Sequence, residues 1–306
     1  MRKFLAPLLF LLLSTPAYAL RHVACQEKCS PSSFQLHKGH ENKVQTKPEL
    51  YLIFWGPWWG THQGQTTKEA ITRDVGALHG SSYADILTQY YDFQEGHKQY
   101  ISNDWRLKGS WFSASSSKDK DIDFQGNGES VLRTSAKTVI AEEFLSHHIT
   151  PTSNTSVMVF PETGAHAAHE TAPEGQCQGA HQMTEYEPGK YVSVAVSWPG
   201  QSNRFRACAI ASYTKSVTHE WAEMITDPEN RTWMDKDKQE VADECSAEYG
   251  QIIILHNNLE RLQMTVNPLW SNRKQSCLLG ASPDLNWLRQ EEQTYLPPNK
   301  KMNPLT

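Results

Sequence analysis

Apolar residues along this chain follow two rhythms. Glu49-Leu50-Tyr51-Leu52-Ile53-Phe54-Trp55 is a nearly unbroken run of strand-forming residues cut by Gly56-Pro57. That pattern predicts a buried strand running into a loop, on which Trp58-Trp59-Gly60 either lines a cleft or packs. Ser156 to Phe160 and Tyr191 to Val196 have the same character, and Gln251 to Leu255 is a further strand-length run. Helical spacing marks Thr66 to Leu78 and Tyr83 to Tyr91, which Gly80-Ser81-Ser82 divides. Another helix is expected from Ser130 to about His148, after the turn Gly126-Asn127-Gly128. From Ser216, Val217, Trp221, Met224 and Ile225 recur at i, i+4, i+7 and i+8, the stripe of a core-facing helix. The Asp227-Pro228 pair stops that helix, because proline disfavours helical geometry in the residue before it. Strands and helices interleave without strict βαβ alternation, so a mixed α/β (α+β) domain is expected.

The chain ends differ from its middle. Met1-Arg2-Lys3, the apolar run Phe4 to Leu13 and the ending Ala17-Tyr18-Ala19 have the form of a secretory signal peptide over residues 1–19, cleaved after Ala19. The run is shorter than the ~20 residues that span a bilayer, and no later segment is more apolar, so no membrane insertion is expected. Residues 20–47 are polar and read as an N-terminal arm. The domain follows over 48–281, and a polar, proline-bearing tail over 282–306. Six cysteines in an exported chain predict disulfides, and their order suggests Cys25–Cys29, Cys177–Cys208 and Cys245–Cys277. The formal net charge is −5 with no lysine- or arginine-rich block, so nucleic-acid binding has no electrostatic footprint. No feature of the sequence specifies an oligomeric state.

The chemistry concentrates on the Ser216–Asp227 helix. His219 and Glu223 are four residues apart and project from one face, where an imidazole and a carboxylate can grip one metal ion. Glu220 stands beside them as a proton acceptor. Zinc proteases use H-E-x-x-H for this purpose, and here the second histidine is a glutamate. In the plain alternative, His219 and Glu223 sit with Lys215 and Thr226 on an ordinary solvated face. Downstream, Gln239-Glu240-Val241-Ala242-Asp243-Glu244-Cys245 offers a third ligand, either Glu240 or Asp243, the other steering by hydrogen bond. The two share a face if this run is helical.

In order, Phe54-Trp55-Gly56, Cys177-Gln178-Gly179-Ala180-His181, Thr218-His219-Glu220-x-x-Glu223-x-x-Thr226-Asp227-Pro228, Trp233-x-Asp235, Glu240-Val241-Ala242-Asp243-x-Cys245 and Trp270-Ser271-Asn272 form a recognisable series. The series resembles the exported His-Glu-x-x-Glu-x-x-Thr-Asp-Pro proteins of bacteria and fungi and, more distantly, the plant Exordium (phosphate-induced) proteins. It covers about residues 49–280. The resemblance implies a single zincin-like domain with a mixed sheet and a metal-site helix, stapled by disulfides. It also gives His181 a role as a fourth ligand or a hydrogen-bond donor to the transition state. His166 and His169 on the preceding loop are alternatives.

Two functional expectations follow. One is a secreted metal-dependent hydrolase, a peptidase, with zinc on His219, Glu223 and Glu240 or Asp243, and Glu220 as general base. Two carboxylates and one imidazole make a hard, charge-neutral site, which also suits other divalent ions. The other is a non-catalytic extracellular binding protein, in which a metal or acidic cluster braces the fold and the Trp55–Trp59 aromatics bind polysaccharide or a protein. Extracellular peptide or polysaccharide is therefore the expected partner.

Overall fold

The computed structural model describes residues 22–23, 43–94, 96–116, 121–122, 134–162, 166–167, 177–199, 210–246, 251–256 and 261–280. Residues 1–19, expected to be a signal peptide, Cys25 and Cys29, expected to pair, and residues 282–306 lie outside them.

Five strands, β1 (Glu49–Trp55), β2 (Arg106–Ser113), β3 (Thr155–Pro161), β4 (Cys177–Glu187) and β5 (Lys190–Pro199), form one sheet in the order β2-β1-β3-β5-β4. Neighbours are parallel except β4, which pairs antiparallel with β5 at the edge. The central strands are apolar throughout because both sheet faces are covered, as parallel sheets require. Leu50, Leu52, Phe54, Met158 and Phe160 face one core, and Tyr51, Ile53, Trp55, Val157 and Val159 the other.

Helices α1 (His62–Gly76) and α3 (Ile210–Thr226) cover the first face, burying Ile71 and Val75 of α1 and Val217, Trp221, Met224 and Ile225 of α3. The α3 stripe therefore lies where the periodicity puts it. Helix α2 (Thr134–Ser146) covers the second face with Ala136, Val139, Ile140 and Phe144. Beyond α3, the hairpin β6 (Gln251–His256) and β7 (Arg261–Val266) packs against that helix. The short pair β8 (Leu269–Ser271) and β9 (Ser276–Leu278) follows.

Three local expectations need correction. Tyr83 to Tyr91 is not an α-helix but one 3-10 segment, Ala84–Gln89, leading into a strand at Tyr91–Gln94. The spacing reflects two buried tyrosines whose hydroxyls donate to the carbonyls of Asn267 (2.6 Å) and Trp270 (2.7 Å). The last residues of the presumed arm are docked: the Gln45 N–H donates to the Ile225 carbonyl at 2.9 Å, satisfying one of the carbonyls that a helix C-terminus leaves open. Trp55 and Trp59 are buried at 2% and 0% exposure, Trp55 in the second core and Trp59 in edge-on contact with Phe54, Phe160 and Tyr213 in the first, so neither offers a surface platform to a polysaccharide.

Cys245 and Cys277 form a disulfide across 32 residues, as expected. Cys177 is also disulfide-bonded, while Cys208 lies outside the described residues. Among the described residues, no helix is long and apolar enough to cross a membrane.

Candidate metal centre

Helix α3 lies with His219, Glu220 and Glu223 toward β4 rather than toward solvent. Their side chains are 18%, 4% and 3% exposed, which removes the solvated-face alternative. Contact with β4 is close because Gly179 has no side chain. A Cβ there would come within 2.5 Å of Glu220 Cγ and 2.7 Å of Ser216 Oγ. Alternate residues of a strand share a face, so His181, two positions on, points at the same helix. Its Nδ1 lies 3.4 Å from Glu220 Oε2 and 3.4 Å from Glu223 Oε2.

The acidic run reaches the site by another route. It is not a helix: only Asp243–Cys245 forms one 3-10 turn, so Glu240 and Asp243 do not share a helical face. The run is held from three sides. Asn267 donates from its backbone to Thr218 Oγ1 (3.0 Å) and from Nδ2 to the Ala242 carbonyl (3.0 Å). The Trp270 N–H donates to the Val241 carbonyl (2.8 Å), and Cys245 is tied to Cys277. Thus fixed, Asp243 Oδ1 stands 3.3 Å from His219 Nε2, and Glu240 Oε1 stands 3.4 Å from His181 Nε2. Each acid serves a different imidazole.

Two groups of donor atoms result: His219, Glu223 and Asp243, and His181, Glu220 and Glu223, with the atoms of each within 4.8 Å of one another. Ligands about 2.0–2.2 Å from a tetrahedral ion lie about 3.4 Å apart. The histidine–carboxylate separations of 3.1–3.4 Å have that spacing and exceed the usual length of a charge-assisted hydrogen bond, about 2.7–2.9 Å. Moreover, Glu223 Oε1 and Glu240 Oε1 are buried without a hydrogen-bond partner, a costly state for a carboxylate oxygen. His219 Nε2 is 3.1 Å from Glu223 Oε1 yet off the hydrogen-bond direction. A divalent cation held by His219, Glu223 and Asp243 satisfies Glu223 Oε1, so the residues present fit one.

Without an ion, protons must balance these charges. Burial alone would lower the His181 pKa, but the charge of Glu240 and the contacts to Glu220 and Glu223 hold it well above the ordinary histidine value. His219 is raised in the same way, against its own burial, by Glu223 and Asp243. Burial pushes Glu240 up to about 8 and raises Glu220. It also opposes ionisation of Glu223, but His219 and His181 prevail and hold that carboxyl low, at about 2.

A cavity of about 230 Å³ opens over the centre, lined by Gly179, Ser216, His219, Glu220 and Asn267 among others. Of the predicted residues, His181, His219, Glu220, Glu223, Glu240 and Asp243 are all brought together. His166 lies in a two-residue strand beside Asp121–Ile122, and His169 lies outside the described residues. In the sequence, Asp227 reads only as a helix stop. Its carbonyl in fact accepts from His181 Nε2 (3.3 Å), and its Oδ1 accepts the Arg231 N–H (2.6 Å). Asn267 carried no sequence signal at all.

Comparison with protein-family models, with curated proteins and with solved structures finds no match to this chain.

Proposed function

We propose that this chain is a secreted, zincin-like, metal-dependent hydrolase acting on peptides, and a member of the exported His-Glu-x-x-Glu-x-x-Thr-Asp-Pro family it resembles. The observation that carries the proposal is the convergence of His219 Nε2, Glu223 Oε1 and Asp243 Oδ1 beside a cavity that Glu220 also lines. These three residues hold the ion, Asp243 being the third ligand rather than Glu240, which faces His181 instead. A bound zinc or similar ion supplies Lewis acidity and brings the pKa of water to about 7. Glu220, with Oε1 4.0 Å from His219 Nε2, is placed to take the proton of the attacking water.

The architecture supports a peptide substrate. Strand β4 is the antiparallel edge of the sheet, paired with β5 among the described residues and packed on α3. An extended peptide can add to such an edge by main-chain hydrogen bonds. Disulfides at Cys245–Cys277 and at Cys177 support an oxidising, extracellular setting.

The test is Glu220→Gln on a broad peptide set. The variant should keep metal and fold but lose hydrolysis by about 10²–10⁴-fold, the usual cost of a lost general base. Fully metal-loaded wild-type protein that cleaves no peptide would end the enzyme reading.

A further inference from the structure

The centre holds more ligands than one ion uses. Glu220, Glu223, Glu240 and Asp243 bring four carboxylates to two imidazoles. With all four carboxylates ionised and both imidazoles neutral, a single divalent ion leaves a formal charge of about −2 there, in a place where uncompensated charge is strongly unfavourable. Glu223 is shared: Oε1 faces His219 and Oε2 faces His181. Its side chain is 3% exposed, and Oε1 has no hydrogen-bond partner.

His181 is prepared as a ligand. Its Nε2 meets the carbonyl of Asp227 at 3.3 Å, which accepts only, so that nitrogen carries the hydrogen. Glu240 Oε1, also without a hydrogen-bond partner, lies 3.4 Å from the same nitrogen. A carboxylate or carbonyl behind one ring nitrogen is the usual means of orienting the other toward a metal. In the neutral ring, Nδ1 then presents a lone pair to Glu220 Oε2 and Glu223 Oε2, both at 3.4 Å.

We propose that His181, Glu220 and Glu223 form a second divalent-cation site, joined to the first through the Glu223 carboxylate, and that filling it withdraws Glu220 from proton transfer. The proposal rests on the reading of His219, Glu223 and Asp243 as the first site. Two ions bridged by one carboxylate lie about 3.5–4 Å apart in two-metal centres. The single-ion form is then the active one, and excess metal silences the enzyme.

The experiment is equilibrium dialysis of the metal-stripped full chain against Zn²⁺, with metal analysis of wild type, His181→Gln and His219→Ala, each checked for folding by circular dichroism. Two equivalents are expected in wild type and one in each variant, and wild-type hydrolysis should rise with the first equivalent and fall with the second. A single equivalent in wild type overturns the second site. If that one ion is lost in His219→Ala, the hydrolase reading survives; if it is lost in His181→Gln, both readings fail. Two equivalents with undiminished hydrolysis overturn the inhibitory role. Should a variant not fold, Mn²⁺ paramagnetic resonance on wild type decides. Two equivalents should give an exchange-coupled spectrum, and two independent six-line signals would overturn the shared carboxylate. Stoichiometry and resonance need no substrate, so they hold whether or not a substrate has been found.

Discussion

Gly179 on β4 lies directly against Glu220 on α3, with so little room that a Cβ would stand 2.5 Å from both Cγ and Oε1 of the acid. The edge strand and helix α3 approach this closely only because one residue has no side chain. The same approach brings His181 within reach of Glu220 and Glu223.

Gly179→Ala should therefore push Glu220 away from its place. Overpacking of this kind costs about 1–3 kcal/mol, so a fall in melting temperature of several degrees is expected. Hydrolysis should fall more than stability does, since the displaced group is the proposed base. Metal binding at His219 and Asp243 should survive, because the atoms a Cβ would meet first belong to Glu220 and Ser216. Calorimetry, metal analysis and peptide turnover on one preparation check all three.

His219→Ala or Asp243→Ala should lower metal content and thermal stability together. An ion that binds only the native state stabilises it by about 4 kcal/mol when present at roughly 1,000 times its dissociation constant. A melting temperature that responds less to chelator in either variant than in wild type is the expected signature. Metal content equal to wild type in both variants would remove the first site.

Most of the frame was legible because burial writes itself into sequence. β1, β3 and β5 are covered on both faces and read as apolar runs, while α3 has one buried face and reads as a stripe. β4 was not legible. Its sequence, Cys177-Gln178-Gly179-Ala180-His181-Gln182-Met183-Thr184-Glu185-Tyr186-Glu187, is largely polar because it is an edge strand facing a charged centre. His181 was therefore visible only through a resemblance, and its contact with α3 depends on a glycine whose reason is steric. The choice between Glu240 and Asp243 was equally hidden. It depends on a non-helical path set by Asn267, Trp270 and the Cys245–Cys277 link, all distant in sequence from His219.

That link supports a third prediction. Replacing Cys245 and Cys277 by serine opens a loop of 32 residues' separation, for which the chain-entropy model gives about 3–4 kcal/mol. Because Cys245 is two residues from Asp243, weaker metal binding should accompany the lower stability. The Trp270–Val241 and Asn267–Ala242 hydrogen bonds remain to hold the run, so the variant should still fold at low temperature. Metal affinity equal to wild type would show that those bonds alone position Asp243.

The response to pH should reverse when metal is added. In the metal-free protein, Glu240 and Glu244 titrate near 8 when folded, Glu220 is raised, and His181 and His219 are held well above 6.5. The unfolded chain releases the same protons near 4.5 from the carboxyls and 6.5 from the imidazoles. Between about pH 5 and 9 the folded state thus binds more protons than the unfolded one. Stability must fall as pH rises, by up to about 1.4 kcal/mol per pH unit for each extra proton held. Glu223 is lowered instead, and its contribution is lost only as pH falls from about 4.5 toward 2, outside this window. A bound ion changes the balance because it needs the imidazole of His219 and, at the second site, the imidazole of His181 and the carboxyl of Glu220 deprotonated, so its binding releases protons and strengthens as pH rises. Melting temperatures measured from pH 5 to 9 should decline in chelator and climb with saturating zinc. Parallel curves in the two conditions would mean that the ion does not displace the protons of this cluster, and hence does not bind there.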